Sequence, residues 1–120
     1  MLKKNEVYCG DCAGVLTHIP AESVDLVITS PPMIIPEGIA ANGLIFKTIA
    51  QEVTWVLKPG EVLVWIVGDA TIKQSELFTS FRQALFFKEA CGLLAHDTMI
   101  FQKSGMSKPR ANRYRHFQIA

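Results

Sequence analysis

Asp25-Leu26-Val27-Ile28-Thr29-Ser30-Pro31-Pro32-Met33 is the stretch whose reading decides the fold. It begins as an apolar run rich in β-branched side chains, which suit a pleated, packed surface. It ends at a hydroxyl residue followed by two prolines, and proline neither donates to a sheet ladder nor leaves φ free. With Val24 included, the pattern predicts a strand over Val24–Thr29. Val24, Leu26, Val27 and Ile28 make it apolar almost throughout, as in a parallel strand covered on both faces. Such a strand delivers the Ser30 side chain and a stiff, donor-free backbone to the edge of a sheet.

Upstream, residues 6–9 read as a short strand, Gly10-Asp11 as the turn after it, and residues 13–19 as a short helix. Val15, Leu16 and Ile19 share one face of that helix and Pro20 ends it. Downstream, residues 30–43 read as a loop, because Pro31, Pro32 and Pro36 oppose a regular helix and Gly38 and Gly43 add freedom. A helix over residues 44–57 follows, with Ile45, Ile49, Val53, Val56 and Leu57 on one stripe. Lys58-Pro59-Gly60 is expected to stop it. Residues 62–67 form the strongest strand pattern in the chain and run into Gly68-Asp69. After a polar loop over residues 70–79, Ser80 and Gln83 have the spacing of a capping box. The helix they open is expected to reach Cys91, with Gly92 as its stop. Residues 94–102 are a third strand, residues 103–112 a loop, and residues 113–120 the start of an edge strand.

Strands and helices that alternate in this way predict an α/β fold, a mostly parallel sheet with helices on its faces. Ligands of such sheets bind beyond the carboxyl ends of the strands. Three polar corners fall there: Gly10-Asp11, Thr29-Ser30-Pro31-Pro32 and Gly68-Asp69. Their expected convergence on one rim outweighs any one of them, since a lone strand-end Asp is otherwise a turn or cap residue.

The bulk properties fit a single domain. A 120-residue chain with 49% hydrophobic and 19% charged residues is globular in composition, and a chain of this size buries roughly two-thirds of its unfolded surface. No apolar run approaches the roughly 18 residues of a membrane span, and no secretion signal opens the chain. The expected location is cytoplasmic, with no membrane partner. A net charge of +1 argues against the whole chain being an electrostatic nucleic-acid binder. However, no acidic residue follows Asp97, whereas Lys103, Lys108, Arg110, Arg113 and Arg115 do. That end reads either as a solvated tail or as a surface for phosphate. Cys9, Cys12 and Cys91 are an odd set, expected to stay reduced. Cys9 and Cys12 supply too few ligands for a tetrahedral zinc site, and His18, His96 and His116 have no matching spacing. No metal is expected, and a thiol or metal protein built on Cys9 and Cys12 is the least favoured reading. No glycine-rich phosphate loop is present.

The corner at Ser30 has its own chemistry. Pro31 and Pro32 carry no N–H and fix φ, so the Ser30 and proline carbonyls and the Ser30 hydroxyl form a rigid set of acceptors. Such a set suits a ligand with a donor-rich amino group, such as the exocyclic amino group of a base. The plain alternative is that Pro31-Pro32 only ends a strand.

Asp25-Leu26-Val27-Ile28-Thr29-Ser30-Pro31-Pro32 resembles the catalytic motif of the DNA amino-methyltransferases, which methylate cytosine N4 or adenine N6. The resemblance runs along nearly the whole chain. It takes in Gly10-Asp11-Cys12, Ile19-Pro20, Ser23-Val24-Asp25 and Val56-Leu57-Lys58-Pro59-Gly60. Gly68-Asp69-Ala70-Thr71, Ser80-Phe81-Arg82-Gln83-Ala84-Leu85 and His96-Asp97-Thr98-Met99-Ile100 resemble a subgroup found in phage and bacterial restriction-modification enzymes. The resemblance implies a Rossmann-like methyltransferase fold, S-adenosylmethionine as methyl donor and DNA as substrate, with the target base flipped out. It implies that Ser30, Pro31 and Pro32 hold the target amino group and that Met33 contacts the base. By the same token Asp11, Cys12 and Asp69 face the donor, while the basic end of the chain, through Lys108, Arg110, Arg113 and Arg115, is the candidate contact to the DNA backbone.

Two positions depart from the family pattern. The aromatic residue after the two prolines is Met33 here, and Glu61 replaces a glycine. The family's Asp-Pro-Phe-x-Gly-x-Gly donor loop has no counterpart either. Residues 1–120 are therefore expected to be one partial methyltransferase domain, the catalytic half, with a truncated edge strand within residues 103–120. A second chain supplying the donor-binding half is an expected partner. The alternative is a non-catalytic α/β remnant that self-associates as a homo-oligomer or binds DNA weakly.

Overall fold

The computed structural model describes residues 2–31, 39–68, 71–72, 75–76, 78–101 and 118–119. In chain order the elements are α1 (Cys12–Leu16), β1 (Val24–Thr29), α2 (Ile39–Val56), β2 (Leu57–Trp65), β3 (Thr71–Ile72), β4 (Ser75–Glu76), α3 (Thr79–Glu89), β5 (Ile100–Phe101) and β6 (Gln118–Ile119). β1, α2 and β2 form a βαβ unit with β1 parallel to β2. β3–β4 and β5–β6 are short antiparallel pairs. Among the described residues the parallel arrangement expected for the whole sheet is thus carried by β1 and β2 alone.

β1 has the bounds its apolar run and terminal prolines predict. Its entry is tied to the end of α2: the Glu22 N–H donates to Trp55 O at 3.0 Å and the Ser23 N–H to Val56 O at 2.9 Å. These bonds satisfy carbonyls that a helix C-terminus leaves without partners. The core is the buried face of α2, Ala50, Val53 and Val56, continued by Leu57, Val67 and Phe87. α1 packs against α2.

Several boundaries differ from expectation. Residues 6–9 form no strand; Val7 is 99% exposed and no neighbouring strand pairs with the segment among the described residues. α2 starts at Ile39 and takes in Gly43, an interior glycine whose cost of about 1 kcal/mol the length and packing of the helix offset. β2 starts at Leu57 because Lys58-Pro59-Gly60 lies within the strand as a bulge. Gly60 holds φ +83° there, which only glycine adopts without strain. The capping box at Ser80 and Gln83 does not define the start of α3, whose N-cap is Phe78, in the left-handed region at φ 52° with no side-chain cap bond. The helix ends at Glu89 with Ala90 as its C-cap, two residues short of the expected Cys91, and Gly92 follows at φ +74°. The third strand shortens to Ile100–Phe101, paired with Gln118–Ile119 where an edge strand is expected.

Candidate active site at the end of the parallel strands

Thr29 and Trp65 are the last register partners of β1 and β2. The Ile66 N–H donates to Thr29 O at 2.9 Å and carries the ladder one bond further. The Thr29 carbonyl is therefore occupied, and the first groups past the ladder are those of Ser30 and Pro31. Ser30 is exposed and Pro31 half-buried. The acceptor corner thus sits where the sequence places it, at the carboxyl end of a parallel strand.

A block of aromatic side chains lies behind this end of the ladder. Trp65 meets Phe87 edge-on with ring centroids 5.0 Å apart and Phe46 at 5.7 Å. Phe46 also meets Phe86 at 5.4 Å and Phe87 at 5.6 Å. Each such pair contributes about 0.5–1.5 kcal/mol beyond its buried area. The indole Nε1–H of Trp65 donates to Gln83 Oε1 at 2.9 Å, and Gln83 is only 7% exposed. One hydrogen bond and four rings thus lock β2 to α2 and α3 beside the corner. Sequence reasoning did not single out Trp65 or Phe46. The available signal was an aromatic residue closing an aliphatic strand, with Phe86-Phe87 on the next helix.

Asp11 is the N-cap of α1. Its Oδ1 accepts from the Ala13 N–H at 3.4 Å, and its carbonyl from the Val15 N–H at 2.9 Å. Cys12, exposed, is the first residue of that helix. No hydrogen bond joins either residue to Ser30. Pro32, Met33, Asp69, Lys108, Arg110, Arg113 and Arg115 lie outside the described residues. Among the described residues no three His, Cys, Asp or Glu side chains group closely enough to hold a metal ion, and no helix is long and apolar enough to cross a membrane.

Asp25, inside the motif, has a structural role at the far end of β1. Its carboxylate pairs with Lys58 Nζ at 2.5 Å. The hydrogen bond from Lys58, and then its charge, hold the Asp25 carboxyl below its ordinary value, and the same contacts raise Lys58.

The geometry agrees with what is similar to this chain. The orphan methyltransferase M.BamHII of Bacillus amyloliquefaciens is 48% identical over 92 residues, which are 77% of this chain and 34% of that protein. Over that stretch the chain is similar to a fragment of a methyltransferase. The methyltransferase fold is also seen in TTHA0409 of Thermus thermophilus, provisionally assigned as a DNA modification methylase and solved with S-adenosyl-L-methionine. That structure superposes with a TM-score of 0.71 at 26% identity, over 92% of this chain and 51% of its own. The cytosine-N4-specific DNA methyltransferase PvuII superposes with a TM-score of 0.72 at 22% identity, over 94% of this chain and 48% of its own, and shows the fold alone. No family profile matches the chain. It spans about a third of M.BamHII and about half of each solved methyltransferase.

Proposed function

We propose that this chain is the catalytic half of a DNA amino-methyltransferase that transfers a methyl group to an exocyclic base nitrogen, cytosine N4 or adenine N6. The observation that carries the reading is the corner after β1. Thr29 O is taken by the ladder, so an incoming amino group meets the Ser30 hydroxyl and the Ser30 and Pro31 carbonyls. Acceptors held in this way bind the amino hydrogens and orient the nitrogen lone pair. The target base has to leave the duplex to reach them. Met33 stands where the family pattern has an aromatic ring, and base–aromatic stacking is worth about 1–3 kcal/mol per base. Weaker base binding is the expected consequence. Lys108, Arg110, Arg113 and Arg115 are the proposed phosphate contacts, whose binding falls with salt.

S-adenosylmethionine is the proposed donor, and when bound it supplies an electrophilic methyl group. Asp11, Cys12 and Asp69 are the residues of this chain that would hold it. The Asp11 side chain fits such a role: it is exposed, and its capping bond is long at 3.4 Å. A carboxylate in that state can accept from ligand hydroxyl or amino groups. The remaining donor contacts are proposed to come from chain beyond this catalytic half.

The test is transfer of labelled methyl from S-adenosylmethionine to DNA. The completed domain is expected to incorporate label and the Ser30→Ala form to lose at least ~100-fold, the scale of a removed transition-state hydrogen bond. The 120-residue chain alone is expected to be weak or inactive. Absence of incorporation in the completed domain would sink the proposal, leaving a non-catalytic remnant.

A further inference from the structure

The two faces of the β1–β2 pair differ. On one, Trp65 packs against Phe46 of α2 and Phe87 of α3, and the register partners Val27 and Leu63 are half-buried. Side chains alternate across a strand, so Leu26, Ile28 and Val62 share the opposite face. There Leu26 is 52% exposed, Ile28 62% and Val62 54%. Leu26 and Val62 are register partners, and so are Ile28 and Val64. A sheet with one solvated face places polar residues on it; an apolar run on both faces belongs to a parallel strand that is covered twice. This face is therefore built for contact but faces water in the chain alone.

We propose that this face seats the rest of the methyltransferase domain, and that Leu26, Ile28 and Val62 are the contact that joins the two halves. The inference rests on the proposed function. Two observations identify the occupant. TTHA0409 and PvuII cover 92% and 94% of this chain, but only 51% and 48% of their own lengths find a counterpart in it. About half of each of those chains thus lies outside the part that this chain matches. The exposed patch also lies directly on the strand that presents Ser30, so its occupant sits next to the reacting corner.

The experiment co-expresses the full 120-residue chain with M.BamHII lacking its matched 92 residues. It measures the mass and affinity of the assembly, and separately methyl transfer to DNA. A one-to-one assembly is expected, weakened at least tenfold by Leu26→Lys with Ile28→Lys. The milder pair Leu26→Thr and Ile28→Thr, which keeps strand-forming side chains, is expected to weaken it less. Circular dichroism and melting of the lone chain should change little in either, since both side chains already face water. Leu94→Lys, at a residue 91% exposed outside the patch, should leave the assembly unchanged. Three outcomes overturn the inference: no assembly, an assembly indifferent to both pairs, or a dimer of this chain alone that those substitutions abolish. Assembly without methyl transfer would instead remove the proposed function and leave the seat in place. Methyl transfer without assembly would do the reverse.

Discussion

The ladder between β1 and β2 is built differently at its two ends. From Leu26↔Val62 to Thr29↔Trp65 the register is unbroken, and Trp65 is held by two phenylalanine rings and one buried amide. Between Val24↔Leu57 and Leu26↔Val62 a single residue of β1, Asp25, faces Lys58, Pro59, Gly60 and Glu61 of β2. That end has no ring packing of this kind; it is held by the backbone bonds from Glu22 and Ser23 to the end of α2, a glycine turn and an ion pair with the lysine side chain 43% and the aspartate 73% exposed. The ring packing is concentrated where Ser30 leaves the sheet, and the inserted residues lie at the other end.

Substitutions should separate the two ends. Trp65→Ala removes the centre of the aromatic block and leaves Gln83 buried without its donor. A loss of about 2–3 kcal/mol is expected by chemical denaturation, below the range for a fully buried aromatic because Trp65 is half-buried. A loss near zero would show that the rim is not supported from behind. Gly60→Ala forces an L side chain into φ +83° and should cost about 1–2 kcal/mol. Backbone amide shifts measured by NMR should change around residues 57–62 and stay put at Thr29 and Ser30; movement at Ser30 would mean that the two ends are coupled.

Asp25→Asn is expected to have the smallest effect, read from the dependence of stability on pH. The carboxyl of Asp25 is lowered from 3.8 by Lys58. Its contribution is therefore present above that value and is lost as pH falls through the folded pKa. Lys58 is raised from 10.5 by Asp25, so its contribution is present below that value and disappears as pH rises through the folded one. Between these limits the pair is constant, and its exposure and salt screening keep it weak. The Asn form should flatten both flanks while leaving neutral pH almost unchanged.

What the sequence disclosed follows the same division. β1 was legible because its apolar run and its prolines are local signals, and Ser30 and Pro31 lie at the strand end they imply. The start of β2 was not, since Lys58-Pro59-Gly60 reads as a stop unless a parallel partner is there to absorb it as a bulge. Gln83 has capping-box spacing, but the half-buried indole N–H of Trp65 competes for its side chain, and that partner is 18 residues away in sequence. Residues 6–9 carry a strand pattern that pairing alone could realise. Asp11 took the plain reading of a strand-end acid, a helix cap, and remains a donor contact only by proposal.

The aromatic block has a consequence for biosynthesis. Phe46, Trp65, Phe86 and Phe87 lie within a contiguous stretch, and α2, β2 and α3 follow β1 without interruption by any distant segment. Chains fold as units while they leave the ribosome. Every ring in this block is free to pack once residue 87 has left the ribosome, so the support behind Ser30 needs no ring from beyond Phe87.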